Sequence, residues 1–166
     1  MNQIIEINND FSLELPDFLS ETDSLNPNAS LQYQNLDKEL FVIVIEEDRK
    51  EFTRKIVENN AEQMYPPNLK GYTDIVHQSI GETINVSAST EIEDLEINGL
   101  PAKNFTIQGQ TIDKIGVYYS FTLVRGEEKY YQIAQWTAKN QKALFEKQII
   151  QIAKSFKQLS GSGVDA

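Results

Sequence analysis

The sequence contains no cysteine, and it has only one histidine and one tryptophan among its 166 residues. Without cysteine the chain cannot build a disulfide framework, a thiolate nucleophile or a thiolate metal site. A chain of this length does not need such support, because roughly 68–70% of the unfolded surface leaves water on folding at about 150 residues. We therefore expect a hydrophobic core to stabilise the fold.

Long apolar runs are also missing, since a membrane-spanning helix needs about 18 or more consecutive apolar residues. The first residues, MNQIIEINNDF, lack the basic segment and apolar stretch of a signal peptide. We expect a cytoplasmic protein if Met1 is the natural start, and an envelope or periplasmic protein if a leader has been removed. Residues 160–166, SGSGVDA, are small and polar and are expected to form a flexible tail.

Basic side chains are few: 15 lysines and arginines face 25 acidic residues, which gives a net charge of −10. Nucleic acids and anionic membranes repel such a chain at long range, so nucleic-acid binding is not expected. The charge is uneven, because residues 1–64 hold 14 acids and 5 bases whereas residues 139–166 hold 5 lysines and 2 acids. We interpret this asymmetry as solvated faces of opposite sign.

The length predicts one domain, which we place at residues 1–159. FSLELP at 11–16 alternates apolar and polar residues, which predicts a strand with one buried face. The run from Leu40 to Ile45 is wholly apolar, which predicts a strand covered on both faces. With ASLQYQN before it and NLDK as the turn, this run forms a hairpin. The segment 17–28 is predicted as a loop with one helical turn.

Helices are predicted at residues 47–60 and 69–84, and the Asn98-Gly99 pair predicts a tight hairpin in a following meander. KIGVYYSFTLV alternates as a strand, and KYYQIAQWTA returns antiparallel to it. A final helix carries one apolar stripe, made of Phe145, Ile149, Ile152, Phe156 and Leu159. The order of elements predicts an α+β fold, with an antiparallel sheet of about six strands and helices on both faces.

Three stretches, FSLELP, ELFVIVIEED and LFEKQIIQIAKSFKQL, resemble the PsbP-like family, which includes the DcrB-like proteins. Within it, ASLQYQN, NGLPAKNF and YYQIAQWT resemble an uncharacterised type from Bacteroidetes-like bacteria. The resemblance covers residues 10–159 and implies an α/β/α sandwich. It also implies a protein that binds other proteins and performs no chemistry of its own. Many bacterial relatives are lipoproteins, although this sequence shows no lipobox cysteine.

His77 is the one side chain around which a catalytic site can be imagined, since Asp74 and Gln78 lie near it on the second predicted helix. No G-x-S-x-G elbow accompanies it, and no phosphate-binding glycine loop or dinucleotide fingerprint is present. The acidic stretch STEIEDLEI lacks the spacing and the glycine of a calcium loop. We interpret it as a solvated strand edge, and we predict no metal site and no cofactor.

Aromatic residues concentrate on the two strands of the last predicted hairpin. We select Tyr118, Tyr130 and Trp136 as candidates for binding a partner, because tyrosine and tryptophan are enriched in binding hot spots. The choice assumes that the three rings share the less buried face of the sheet. The alternative is that they pack in the core across paired strands.

These observations predict a non-enzymatic accessory protein that binds another protein and is a monomer or weak dimer. A second hypothesis is a carrier of a small apolar ligand, which an enclosed apolar pocket above about 300 Å³ would favour. A third is a hydrolase that uses His77.

Overall fold

The computed structural model describes residues 1–159, so the predicted flexible tail at residues 160–166 lies outside the described residues. The described chain holds three α-helices and eleven strands. The helices are α1 (Arg49–Glu58), α2 (Leu69–Ile80) and α3 (Lys142–Lys154), with a 3₁₀ turn at Lys139–Gln141. The strands are β1 (Asn2–Ile7), β2 (Phe11–Pro16), β3 (Ser20–Glu21), β4 (Ala29–Asn35), β5 (Leu40–Asp48), β6 (Asn85–Ser89), β7 (Glu93–Ile97), β8 (Leu100–Gln110), β9 (Gly116–Arg125), β10 (Lys129–Ala138) and β11 (Lys157–Gln158).

The strands form two antiparallel sheets. The larger sheet has the order β3-β4-β5-β10-β9-β8-β6, with β7 also paired to β8, and the smaller has the order β1-β2-β11. The α+β class and the antiparallel pairing are confirmed, whereas the predicted count of about six strands is too low. Of the missed strands, β3, β6 and β11 are short and lie at edges, and their side chains are not buried in alternation.

Both faces of the larger sheet are covered, as the apolar run in β5 predicts. Val42 and Val44 point into a core shared with α3 and the smaller sheet, while Ile43 points into a second core shared with α1 and α2. Each fully buried aliphatic side chain of this kind contributes about 1.5–3 kcal/mol. No helix within residues 1–159 is long and apolar enough to span a membrane.

Side-chain caps fix where α1 and α2 begin. The Asp48 carboxylate accepts a hydrogen bond from Glu51 N at 2.9 Å, and the Asn68 amide oxygen accepts one from Gly71 N at 3.0 Å. These caps satisfy backbone donors that have no partner within the helix. The second predicted helix was extended too far, because α2 ends at Ile80.

The chain after α3 corrects the predicted final helix. The helix ends at Lys154, and Phe156 lies beyond it, fully buried against Phe11 and Tyr131 at ring distances of 5.5 and 4.8 Å. Ser155 marks the end, since its hydroxyl accepts from Glu14 N at 2.8 Å. The chain then adds β11 to the smaller sheet. The apolar stripe predicted for a single helix is therefore divided between α3 and the segment that follows it.

The N-terminal hairpin was not predicted. β1 pairs with β2 through a turn in which Asn8 and Asn9 have φ of 51° and 55°, values that asparagine tolerates better than most residues. In the segment 17–28 the predicted helical turn is wrong, because these residues form β3 and turns instead.

An ion cluster ties the first hairpin to the larger sheet. Lys129 Nζ lies 2.8 Å from Asp10 Oδ2 and 2.7 Å from Glu46 Oε1, and the Tyr131 hydroxyl donates to Asp10 Oδ1 at 2.5 Å. Burial raises the pKa of Glu46, and the nearby Asp10 adds to the rise while Lys129 opposes it. Burial lowers the pKa of Lys129, but its hydrogen bonds to both carboxylates outweigh this, and the pKa rises above its usual value.

The raised pKa of Glu46 predicts how stability depends on pH. The native state binds the Glu46 proton more tightly than the unfolded chain does. The stabilisation from this protonation is therefore fully present below the unfolded pKa, and it is lost as pH rises through the folded pKa. Glu46→Gln cannot ionise. We expect the free energy of unfolding of the wild type, relative to this variant, to fall between about pH 4 and about pH 7. Urea denaturation at both pH values measures it, and a difference that rises with pH would contradict the account.

Two glycines at the ends of α2 form a matched pair for testing its docking. A Cβ at Gly71 would lie 1.8 Å from the carbonyl oxygen of Pro66, whereas one at Gly81 would have its nearest neighbour at 3.6 Å. We expect Gly71→Ala to destabilise the protein by at least about 2 kcal/mol through this clash. Gly81→Ala should be neutral or stabilising by up to about 1 kcal/mol. Equal effects in urea denaturation would show that α2 does not begin against Pro66.

Candidate partner-binding surface

The three predicted site residues do not share a face of the sheet. Tyr118 is 3% exposed and belongs to the core under α3, while Tyr130 is 1% exposed and belongs to the core under α1 and α2. Trp136 is partly buried on the same face as Tyr130. The assumed common face is therefore wrong, because the register of β9 and β10 pairs Tyr118 with Thr137 and not with Trp136.

Tyr118 and Tyr130 have core environments. Tyr130 stacks on Tyr72 at 4.8 Å and meets the edge of Phe52 at 5.6 Å, and the Lys142 ammonium lies 5.5 Å from the centre of the Tyr118 ring. Burial raises the pKa of Tyr118, so its hydroxyl stays protonated at neutral pH. Both rings are better described as packing residues than as parts of an exposed surface.

Trp136 lies at the centre of a row of three rings that crosses the sheet. It stacks on Phe41 of β5 at 5.3 Å and 14°, and it lies 5.2 Å from Tyr119 of β9 at 30°. All three rings, which we call the aromatic row, are partly buried. Sequence reasoning missed Phe41 and Tyr119, because their contact with Trp136 depends on the β5-β10-β9 pairing between distant segments.

The aromatic row is less buried than the core beside it. On the same face of the sheet, Phe52 of α1 and Val76 of α2 cover the second core, which includes Phe121. The row is near the end of the sheet that carries the β4–β5 and β8–β9 turns. Three large apolar side chains in these turns are also exposed: Leu36 at 67%, Ile112 at 92% and Ile115 at 56%. These three side chains add apolar exposure at the same end of the sheet as the aromatic row.

The aromatic row carries no charge. Burial raises the pKa of Tyr119, so this hydroxyl is neutral and can donate a hydrogen bond throughout the physiological range. A surface that combines stacked rings with one polar tip resembles the centre of protein interfaces, where tyrosine and tryptophan are enriched and charged residues are depleted. The arrangement is suited to binding and offers no group for acid–base or nucleophilic chemistry.

One cleft on the protein has charged walls, whereas two others, of about 540 and 470 Å³, are lined mostly by uncharged side chains. A cavity of about 490 Å³ is lined by Asp48, Arg49, Lys50, Thr53, Pro67, Glu127, Glu128 and Tyr130. The Arg49 guanidinium donates to Gly126 O and Glu127 O at 3.0 and 2.7 Å, and it lies 5.7 Å from the Tyr130 ring centre. A carrier of apolar molecules needs an enclosed apolar pocket, and this cleft has the opposite character.

His77 lies with its ring against the edge of Phe105, at 4.7 Å between ring centres. Asp74, its neighbour in the hydrolase hypothesis, instead accepts a hydrogen bond from Lys70 Nζ at 2.8 Å. A general base needs a partner that orients it, and Asp74 does not serve that role here. Among residues 1–159, no group of three or more histidine, aspartate or glutamate side chains is arranged to hold a metal ion.

No protein-family model and no curated protein matches the sequence. Solved structures do match in fold. Cyanobacterial PsbP from Synechocystis superposes with a TM-score of 0.60 at 11% identity, covering 95% of this chain and 92% of that one. LpqN of Mycobacterium tuberculosis, a protein involved in cell envelope biogenesis, superposes with a TM-score of 0.56 at 9% identity, covering 96% and 91%. The chain therefore has a PsbP-like fold, as the resemblance implies, and the link to Bacteroidetes stays a prediction.

The single tryptophan makes the aromatic row directly observable by fluorescence. We expect acrylamide to quench Trp136 to a degree between that of a fully buried indole and that of the urea-unfolded chain. Phe41→Ala removes the ring stacked on one face of the indole, so it should increase quenching. Tyr72→Phe, which changes a ring outside the row, serves as the control. Quenching as low as that of a fully buried indole would contradict the partial exposure.

Proposed function

We propose that this protein is a non-enzymatic accessory protein that binds another protein through the aromatic row. The observation that carries the proposal is the partly exposed stack of Phe41, Trp136 and Tyr119 on a face that helices cover elsewhere. Rings of this kind are stiff and bury large area at little entropic cost, which is why a few of them supply most of the affinity of an interface.

The surroundings of the row support docking of a protein segment. The apolar side chains Ile112, Ile115 and Leu36 are exposed in the turns at the same end of the sheet. Large exposed apolar patches are uncommon on monomeric proteins and mark sites of interaction. The net charge of −10 speeds association with a basic partner, because long-range attraction raises the rate of encounter.

The shared fold agrees with an accessory role, but a fold hosts many functions and does not by itself define one. The proposal therefore depends on the aromatic row. An envelope location is part of the proposal, and it rests on the family resemblance of the sequence.

Co-purification from the native source with Trp136→Ala tests the binding role, with Val57→Ala as a matched control. Val57 is 52% exposed on α1, away from the row. We expect one protein to be retained by the wild type and by Val57→Ala, and to be lost with Trp136→Ala. With that partner purified, the Trp136 variant should bind about thirtyfold more weakly, as loss of a hot spot of about 2 kcal/mol implies.

Circular dichroism and urea denaturation show whether the Trp136 variant keeps its fold. If it binds the partner as tightly as the wild type does, the row is not the docking surface. If the wild type retains no protein from its native source, the binding role itself is wrong.

A further inference from the structure

Two buried hydroxyls lie on the sheet face opposite the aromatic row. Ser120 and Thr122 of β9 are 3% and 1% exposed and point toward α3. The Asn104 amide nitrogen on β8 lies 3.2 Å from Ser120 Oγ, 3.0 Å from Thr122 Oγ1 and 3.0 Å from Phe121 O. Its two protons are shared among these three acceptors, and both hydroxyl oxygens lie within hydrogen-bond distance of one amide.

The two hydroxyls have hydrogen-bonding capacity to spare. The Asn104 nitrogen cannot accept either O–H proton, and the hydrogen bonds within residues 1–159 include none that either hydroxyl donates. Gln135, the cross-strand neighbour of Ser120, is fully buried, and its Oε1 has no hydrogen-bond partner in the described chain. Gln135 does not line the cavity described next, but the two hydroxyls do, so they can donate to a solute that enters it.

A cavity opens directly onto these hydroxyls. Its volume is about 180 Å³, the share of roughly six water molecules at about 30 Å³ each. It lies between the sheet and the last turns of α3 and is lined by Glu93, Leu95, Asn104, Ser120, Thr122, Ile150, Ala153 and Lys154. The size suits a small polar solute better than an extended chain.

Charges of both signs line the cavity. Glu93 and Lys154 are exposed, and the ion pairs within residues 1–159 include neither of them. Lys154 is also the last residue of α3, where the helix dipole favours a cation. The walls therefore offer one ammonium and two hydroxyl donors to an anion, and one carboxylate with a helix C-terminus to a cation.

We propose that this cavity binds a small zwitterion of the size and chemistry of an amino acid. The ligand carboxylate accepts from the Ser120 and Thr122 hydroxyls and pairs with Lys154, and the ligand ammonium pairs with Glu93. The site lies on the other face of the sheet from the aromatic row, so it is separate from the proposed protein-binding function. Its failure would leave that function untouched.

A titration followed by amide chemical shifts tests the proposal with three probes: L-alanine, propionate and ethylamine. We expect saturable shifts at Asn104, Ser120 and Thr122 with L-alanine. Propionate and ethylamine should each bind at least about fivefold more weakly, because each lacks one of the two charges. Shifts that do not saturate would show that the cavity holds water only, and equal binding of propionate would show a simple anion site. Either result overturns the proposal.

Thr122→Val removes one hydroxyl while keeping the shape of the side chain, and Thr137→Val is its matched control. Thr137 is 1% exposed and faces the same way but does not line the cavity. We expect about fivefold weaker L-alanine binding for the first variant and no change for the second. Glu93→Gln, at an exposed position, provides the same test without risk to the fold. Unchanged affinity in both Thr122→Val and Glu93→Gln would overturn the proposal.

Discussion

The central strands β5, β9 and β10 bury their side chains on both faces, and the rest of the structure depends on this. Tyr130 and Tyr131 are adjacent in β10 and are 1% and 0% exposed, yet they lie in different cores. Neither core can shift without the other, because the same backbone carries both sets of side chains. A one-residue slip of register would exchange the two sets, so the pairing is strongly specified.

Double coverage also limits where function can lie. The middle of the sheet is filled on both sides mainly by close-packed rings and aliphatic groups, which leaves little room for a ligand except at the cavity beside Ser120 and Thr122. Surfaces suited to binding occur where the covering of the sheet is incomplete. On one face Trp136 is only partly buried, and on the other a cavity lies between α3 and the strands near Asn104. The two proposed sites are these two gaps in the covering layers.

How much of this the sequence predicts depends on how local the signal is. The apolar run of β5 and the Asn98-Gly99 turn were predicted correctly, because burial on both faces and positive φ leave marks within a few residues. The orientation of Tyr118 was not, since it follows from the register of a hairpin that the sequence leaves open. The contact of Phe41 with Trp136 joins segments far apart in the chain, and no local pattern reports it.

The central claim is that β5, β9 and β10 carry the side chains of both cores, so that neither core opens without the other. Native-state hydrogen exchange tests this claim most directly. The account predicts that amides of β5, β9 and β10 exchange only through global unfolding, with Tyr130 and Tyr131 equally protected although their side chains lie in different cores. Amides of the edge strand β6, whose residues are all exposed, should exchange through smaller openings. If β10 amides exchanged as fast as those of β6, the two cores could open separately and the central claim would be wrong.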